Sequence, residues 1–346
     1  MSIPIQRRIQ ILTGLAVVVW VLIIILSPRV DSSGASLSIS RHFRGQKKPR
    51  YRRDVAVATY FSGETATSND IQEDNYFIAT RTLTYQLRHS PQTRLDPSIA
   101  FIILVTPDVS QRKRNQLVRE GAIVIEVDKV ETNLTVGEPR WRGCWTKLRL
   151  FDPEILPFER VLFMDSDTVL TRSVDGVFND PAAKLHRTLN LTGQSQEDEA
   201  ALPGKYLFAG KPEAGTYSHS YPPDMSGDYL NAGFFVYSPS HAILQHYLSL
   251  LELQGRFSPD MPEQNLLNYA HRRDGNMPWQ KLHYSWNMNF VTPEDLRNQP
   301  ASLHVKYWDK SLQQEVIDYA LRCRWEMEGF WIGVNQRAKK IDLFNH

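Results

Sequence analysis

The stretch "RVLFMDSDTVL", residues 160–170, decides how this chain is read. An apolar run ends on two carboxylates, Asp165 and Asp167, one residue apart. In an extended chain alternate residues share a face, so both can approach one ion together. Carboxylate oxygens are hard ligands that suit Mg²⁺ or Mn²⁺, and such an ion commonly bridges protein carboxylates to substrate phosphates. A plainer reading also stands, because an Asp at a strand end often makes an Asx-turn and nothing more.

Upstream, "DVAVATYFSG" from Asp54, "SIAFIILVT" up to Thr106 and "AIVIEVD" read as buried strands. Between them lie a helical stretch with Tyr76, Phe77, Leu83 and Leu87 on its apolar positions, and a polar helix, "SQRKRNQLVREG", ended by Gly121. "WTKLRLFDPEIL" reads as a helix running into a Pro-bounded turn, and "RVLFMDSD" as the fourth strand. This alternation predicts an α/β domain with a largely parallel sheet, right-handed crossovers and helices on both faces. Ligands of such sheets bind beyond the carboxyl ends of the strands, where Asp165 and Asp167 lie. Downstream, "YLNAGFFVYSPS" reads as a strand followed by a helix from His241, "PEQNLLNYAHR" as a helix and "ASLHVKYWD" as a short strand. The polar, Pro/Gly-rich segment from Asn190 to Asp228 reads as one long loop over a site.

The chain has 346 residues and a formal net charge of +2. That length supplies ample core for one large domain or two small ones. The near-neutral charge gives no support for nucleic-acid binding. "ILTGLAVVVWVLIIIL", residues 11–26, carries no charge. With its flanks it spans 9–27, close to the ~20 residues of a membrane-spanning helix. It is too long for the usual core of a cleaved signal peptide, and Pro28 and Arg29 follow instead of small residues. The expected organisation is a cytoplasmic tail at 1–8, a transmembrane signal anchor at 9–27, a flexible basic stem at 28–53 and a catalytic domain at 54–346. Arg7 and Arg8 favour an inside N-terminus, against Arg29, Arg41 and Arg44 on the other flank. Two sequons, Asn133-Leu-Thr and Asn190-Leu-Thr, fit a lumenal domain. "RYRR", residues 50–53, ends the stem and reads as solvated linker or as a processing site. A lumenal setting permits a disulfide between the two cysteines, Cys144 and Cys323, and a buried, free Cys144 after "WRG" fits the sequence equally. Zinc-ligand spacing and internal repeats are absent from the sequence.

The motif "DSDTVL" also fits D-x-D-x-[TV]-[LV] of haloacid-dehalogenase-like phosphatases, where the first aspartate is the nucleophile and the second the acid/base. That pattern normally opens its domain, whereas here α/β chain precedes it. Taken in order, "WTKLRLFDPEILPFERVLFMDSDTVL", "YLNAGFFVYSPS", "PEQNLLN" and "LHVKYW" resemble glycosyltransferase family 8, the family of glycogenin and galactinol synthase, and especially its fungal glycogenin-like type II membrane members. The resemblance covers roughly residues 54–310. It implies a GT-A fold (Rossmann-like, with a mostly parallel central sheet) behind one N-terminal transmembrane helix. It further implies a UDP-linked donor sugar, Mn²⁺ or Mg²⁺, and retention of anomeric configuration.

By resemblance, Asp165, Asp167 and His304 are the metal ligands, with Asp165 and Ser166 also on the donor. Lys147 and Lys306 meet the diphosphate, where positive charge stabilises the leaving group. The family usually has a longer, Gly-containing spacer before its late lysine, whereas only Val305 separates His304 from Lys306. Asn231 and Gly233 match an Asn-x-Gly that lines the donor sugar. Glu263 and Gln264 match an Asp-Gln pair flanking the anomeric carbon, with the acid one methylene longer. Thr59 would meet the uridine and Tyr76 would stack on uracil. A carboxylate nucleophile does not emerge from the sequence. The implied partners are the nucleotide sugar, a glycan or glycoconjugate acceptor and the Golgi membrane; self-association is left open. The alternatives are a lumenal phosphatase using Asp165 as nucleophile and a non-catalytic sugar-binding relative.

In a lumenal domain Asn133 and Asn190 are expected to carry glycans. Endoglycosidase should then lower the mass of the protein made in eukaryotic cells. Unmodified asparagines, with the domain cut by protease added outside sealed microsomes, would reverse the orientation.

Overall fold

β1 (Val55–Phe61) is buried along its whole length. Its alternation divides the core, as a period of two requires. Ala56, Ala58 and Tyr60 join one apolar cluster, and Val55, Val57 and Phe61 join another. An unbroken apolar strand of this kind belongs to a parallel sheet covered on both faces. The computed structural model describes residues 51–191 and 196–344. The anchor expected at 9–27, and the stem up to residue 50, lie outside the described residues. Among the described residues no helix is long and apolar enough to cross a membrane. Asn133 and Asn190 are both exposed.

After β1 come α1 (Asn75–Arg88), β2 (Ala100–Val105), α2 (Gln111–Arg119) and β3 (Ile123–Glu126). A 3₁₀-helical run, Pro139–Phe151, leads to β4 (Arg160–Met164), and β5 (Thr168–Leu170) follows at once. The second half adds β6 (His186–Arg187), β7 (Lys205–Tyr206), β8 (Phe208–Pro212), β9 (Leu230–Tyr237), α3 (His241–Leu251) and α4 (Pro262–Ala270). It closes with β10 (Gln280–Lys281), β11 (Asn287–Met288), α5 (Pro293–Asn298), β12 (Ser302–His304) and α6 (Gln314–Phe344).

Seven strands form the central sheet in the order β10-β8-β9-β4-β1-β2-β3. Both pairings of β9 are antiparallel, and the others are parallel. Trp145 and Phe151 of the 3₁₀ run, with α3 and α4, cover one face; α1 and α2 cover the other. The layout is the Rossmann-like, GT-A-like one that the sequence led one to expect. A second, smaller sheet, β11-β12-β5, pairs β12 antiparallel with β5.

Two expectations change. The segment 139–151 is 3₁₀-helical and starts at Pro139, earlier than "WTKLRL" implied. The segment 190–228 is not one loop. It contains β7 and β8, and β8 lies between β10 and β9 in the central sheet. The apolar run Tyr206 to Ala209 is buried there, which outweighs the polar residues around it. α2 keeps its expected ends: Ser110 caps it by accepting from the Lys113 N–H, and Gly121, at φ +101°, follows its C-terminus.

Two buried ion pairs hold α2 and its end against α1. Lys113 Nζ lies 2.5 Å from Asp74, the residue before α1, and Arg81 lies 2.5 Å from Glu120, whose side chain is fully buried. Removing one partner leaves the other charge buried and bare. Arg81→Met should therefore cost about 3–5 kcal/mol of stability, and adding Glu120→Gln should restore part of it. Denaturant unfolding of the single and double variants measures both.

Candidate active site

Asp165, Ser166 and Asp167 form the connection between β4 and β5. The backbone is tied on both sides. The Asp165 N–H donates to the Gly233 carbonyl on β9 at 2.9 Å, and the Val305 N–H donates to the Asp167 carbonyl at 2.9 Å. These bonds extend the Met164–Phe234 pairing of the central sheet and the Thr168–His304 pairing of the second sheet. The two sheets thus meet at the aspartates, and register alone brings His304 beside them.

His304 Nε2 lies 2.9 Å from Asp167 Oδ1 and 3.9 Å from Asp165 Oδ2, yet it is buried and makes no hydrogen bond. One ligand atom from each of the three residues lies within 4.8 Å of the others. A buried ring nitrogen without a hydrogen bond, facing two carboxylates, suits a shared cation. The donor set of two carboxylates and one imidazole suits Mn²⁺ or Mg²⁺. Gly233 leaves the room for it, since a Cβ there would sit 2.7 Å from His304 Nδ1.

Two lysines face this cluster. Lys147 Nζ bridges Asp165 Oδ1 at 2.8 Å and Glu263 Oε1 at 2.7 Å. Burial would lower its pKa, but the two carboxylates outweigh burial and hold it well above the usual lysine value. Lys306 Nζ lies 3.1 Å from Asp167 Oδ2. The Asp167 charge raises the Lys306 pKa against the effect of burial. Burial likewise opposes ionisation of Asp167, yet Lys306 and His304 hold it far below the usual carboxylate range. The extra methylene of Glu263 lets it span to Lys147, so the acid keeps a place in the site.

Elsewhere in the cavity lining two side-chain amides are held by hydrogen bonds. Asn231 Oδ1 accepts from the Gly233 N–H at 3.0 Å, and its Nδ2 donates to Glu213 Oε2 at 3.2 Å. Gln264 Oε1 accepts from the Ala232 N–H at 2.9 Å. Its Nε2 donates to Glu213 Oε2 at 2.9 Å and to the Tyr229 hydroxyl at 3.1 Å. Glu213 is thus fixed by two amides.

One cavity of about 540 Å³ brings together Tyr76, Lys147, Asp165, Ser166, Asp167, Asn231, Gly233, Glu263, Gln264, His304 and Lys306. Of the expected site residues, Thr59 alone is not among its lining. Its side chain is fully buried because β1 continues to Phe61 and the alternation turns Thr59 away; Tyr60 and Ser62 take the lining positions. Tyr76 meets Trp308 edge-on, with ring centroids 4.9 Å apart. The disulfide that a lumenal setting would permit is not formed: both cysteines are free. Cys144 lines the cavity, where burial and the Glu263 charge push its thiol up, while Cys323 is buried beside Gln86 and Tyr319. Sequence reasoning missed Glu213, Tyr60, Ser62, Trp308 and Phe290. Phe290 adopts φ +53°, a conformation costly for a bulky side chain. The clue to Glu213 was the apolar run "YLFAG" just before it, which marks a strand ending at the cavity.

No family model matches the chain. Two uncharacterised proteins of Schizosaccharomyces pombe are similar to it. One is 28% identical over 267 residues, 69% of each chain. The other is 29% identical over 286 residues, 72% of this chain and 73% of the relative. Galactinol synthase 1 of Solanum lycopersicum is 24% identical over 234 residues, 63% of this chain and 67% of that protein. Galactinol synthase 2 of Arabidopsis thaliana is 25% identical over 172 residues, about half of each chain. A solved structure of the WbbM bifunctional glycosyltransferase shares 18% identity at a TM-score of 0.47, over 83% of this chain and 53% of that one. That likeness is too remote to bear on function.

Gly233→Ala should displace His304 and weaken Mn²⁺ binding by about tenfold or more, the usual cost of disturbing what orients a ligand. Calorimetric titration with Mn²⁺ checks this, and an unchanged affinity would separate His304 from the cation.

Proposed function

We propose that this chain, a glycosyltransferase resembling family 8, moves a hexosyl-type group from a UDP-linked donor to a glycan or glycoconjugate acceptor. The observation that carries the reading is the meeting of Asp165, Asp167 and His304 within 4.8 Å, with Lys147 and Lys306 against the same carboxylates. A divalent cation held by those three residues would supply positive charge next to the diphosphate. Lys147 and Lys306 add two fixed ammonium groups where negative charge grows as the glycosidic bond breaks. Glu213, Asn231, Glu263 and Gln264 line the same cavity and orient the sugar. Retention is what the resemblance implies, and the absence of a carboxylate nucleophile from the sequence reading leaves open a front-face step in which the donor diphosphate helps to deprotonate the acceptor. Tyr76 and Trp308 offer aromatic faces for the base. The uncharged run at 9–27 and the two sequons support a Golgi-type, single-pass type II setting with the catalytic domain lumenal.

A phosphatase reading has less support. Asp165 ends the fourth strand of the sheet rather than opening its domain, and its Oδ1 is engaged by Lys147.

The test is UDP release from a panel of UDP-sugars, with and without Mn²⁺. Release should require the ion. Asp165→Asn and Asp167→Asn should lower the rate at least about a hundredfold, as removal of a group stabilising the transition state does. High Mn²⁺ should restore part of it. Activity in these variants with an unchanged metal requirement would remove the cation site. A phosphoryl-enzyme on Asp165, with no sugar transfer, would favour the phosphatase.

A further inference from the structure

We propose that Lys306 is the resident counter-ion of the cation site. It must leave Asp167 when a divalent ion binds, and its release onto the donor diphosphate couples the two binding events. The inference rests on the donor-site reading above. The Asp167 side chain is only 5% exposed, and a carboxylate so enclosed is costly to leave without a cation. His304 stands at its Oδ1 and Lys306 at its Oδ2. Among the described residues Asp167 is the one carboxylate within ion-pair distance of Lys306.

The short spacing of "HVK" makes this possible. The Val305 N–H is fixed on the Asp167 carbonyl, so the lysine begins one residue past that tie and folds back onto the carboxylate. Its side chain remains 40% exposed and lines the cavity, which gives the ammonium group room to swing away. Lys147 is placed differently, because it keeps Glu263 whatever happens at Asp165. An ammonium group and a divalent ion sharing one carboxylate repel at a few ångströms. Lys306 therefore opposes the ion until a second anion receives it. A diphosphate in the same cavity does so, and each ligand then strengthens the other by the same factor.

The experiment is calorimetry on the full-length chain in detergent, with Mn²⁺ alone, UDP alone and UDP with Mn²⁺ present. It compares wild type with Lys306→Met, Lys306→Gln and Lys306→Arg. Both neutral variants should bind Mn²⁺ alone about tenfold more tightly than wild type, within the usual range of coupling between sites. The factor by which Mn²⁺ improves UDP binding should fall in both, while Lys306→Arg keeps both wild-type values. If Lys306→Met does not fold, Lys306→Gln gives the same reading. Neutral variants whose affinity for Mn²⁺ is unchanged or weaker would overturn the proposal while leaving the cation site standing. A wild type that binds no Mn²⁺ at all would overturn the donor-site reading as well.

Discussion

Asp165 donates its backbone N–H to the Gly233 carbonyl, and most of the site follows from that bond. It locks the end of β4 to β9, the one strand that runs against its sheet. β9 then serves both halves of the cavity. Asn231 and the Ala232 N–H hold Glu213 and Gln264, and Gly233 opens the space that His304 fills. Neither half can shift along the sheet without moving the other.

The charges are balanced in pairs. Lys147 stands between Asp165 and Glu263, and Lys306 and His304 flank Asp167. Each acid in this row has a cation within ion-pair reach, which lets the row sit at low exposure. Glu213 differs, being held by neutral amides from Asn231 and Gln264. Among the described residues its carboxylate is held by amide donors rather than by an ammonium group, and it lines the cavity.

Much of this could be read from local pattern. The parallel half of the sheet is written as apolar runs of strand length between helical stretches, and Asp165, Asp167, Asn231, Gln264 and His304 stand in short recognisable blocks. Failures came where tertiary context overrode local signals. Thr59 was misplaced because β1 runs on to Phe61, and strand ends are set by pairing with β2 rather than by the residues themselves. Glu213 was hidden because β8 is a short strand inside a Pro/Gly-rich segment and is held in the sheet by β9 and β10. α6 went unread because its apolar residues are split between two partners: Met327, Phe330 and Trp331 pack on α1, and Val316, Ala320 and Cys323 pack against the second sheet. Cys144 and Cys323 share a compartment only in sequence terms; one lines the cavity and the other is a residue of α6 buried against the second sheet.

The second sheet has a consequence for how the protein is made. β5, which follows the aspartates, is paired by β12 some 130 residues later in the chain, and the Leu170 carbonyl accepts from Tyr319 of α6 at 2.9 Å. Pairings of such long sequence separation form late, because a large loop must close before the contact rewards it. During synthesis the first strands can assemble while the aspartates still lack His304, Lys306 and the bond from Val305. The cluster of Asp165, Asp167 and His304 is therefore completed at the end of folding, in a chain whose central strands are already in place.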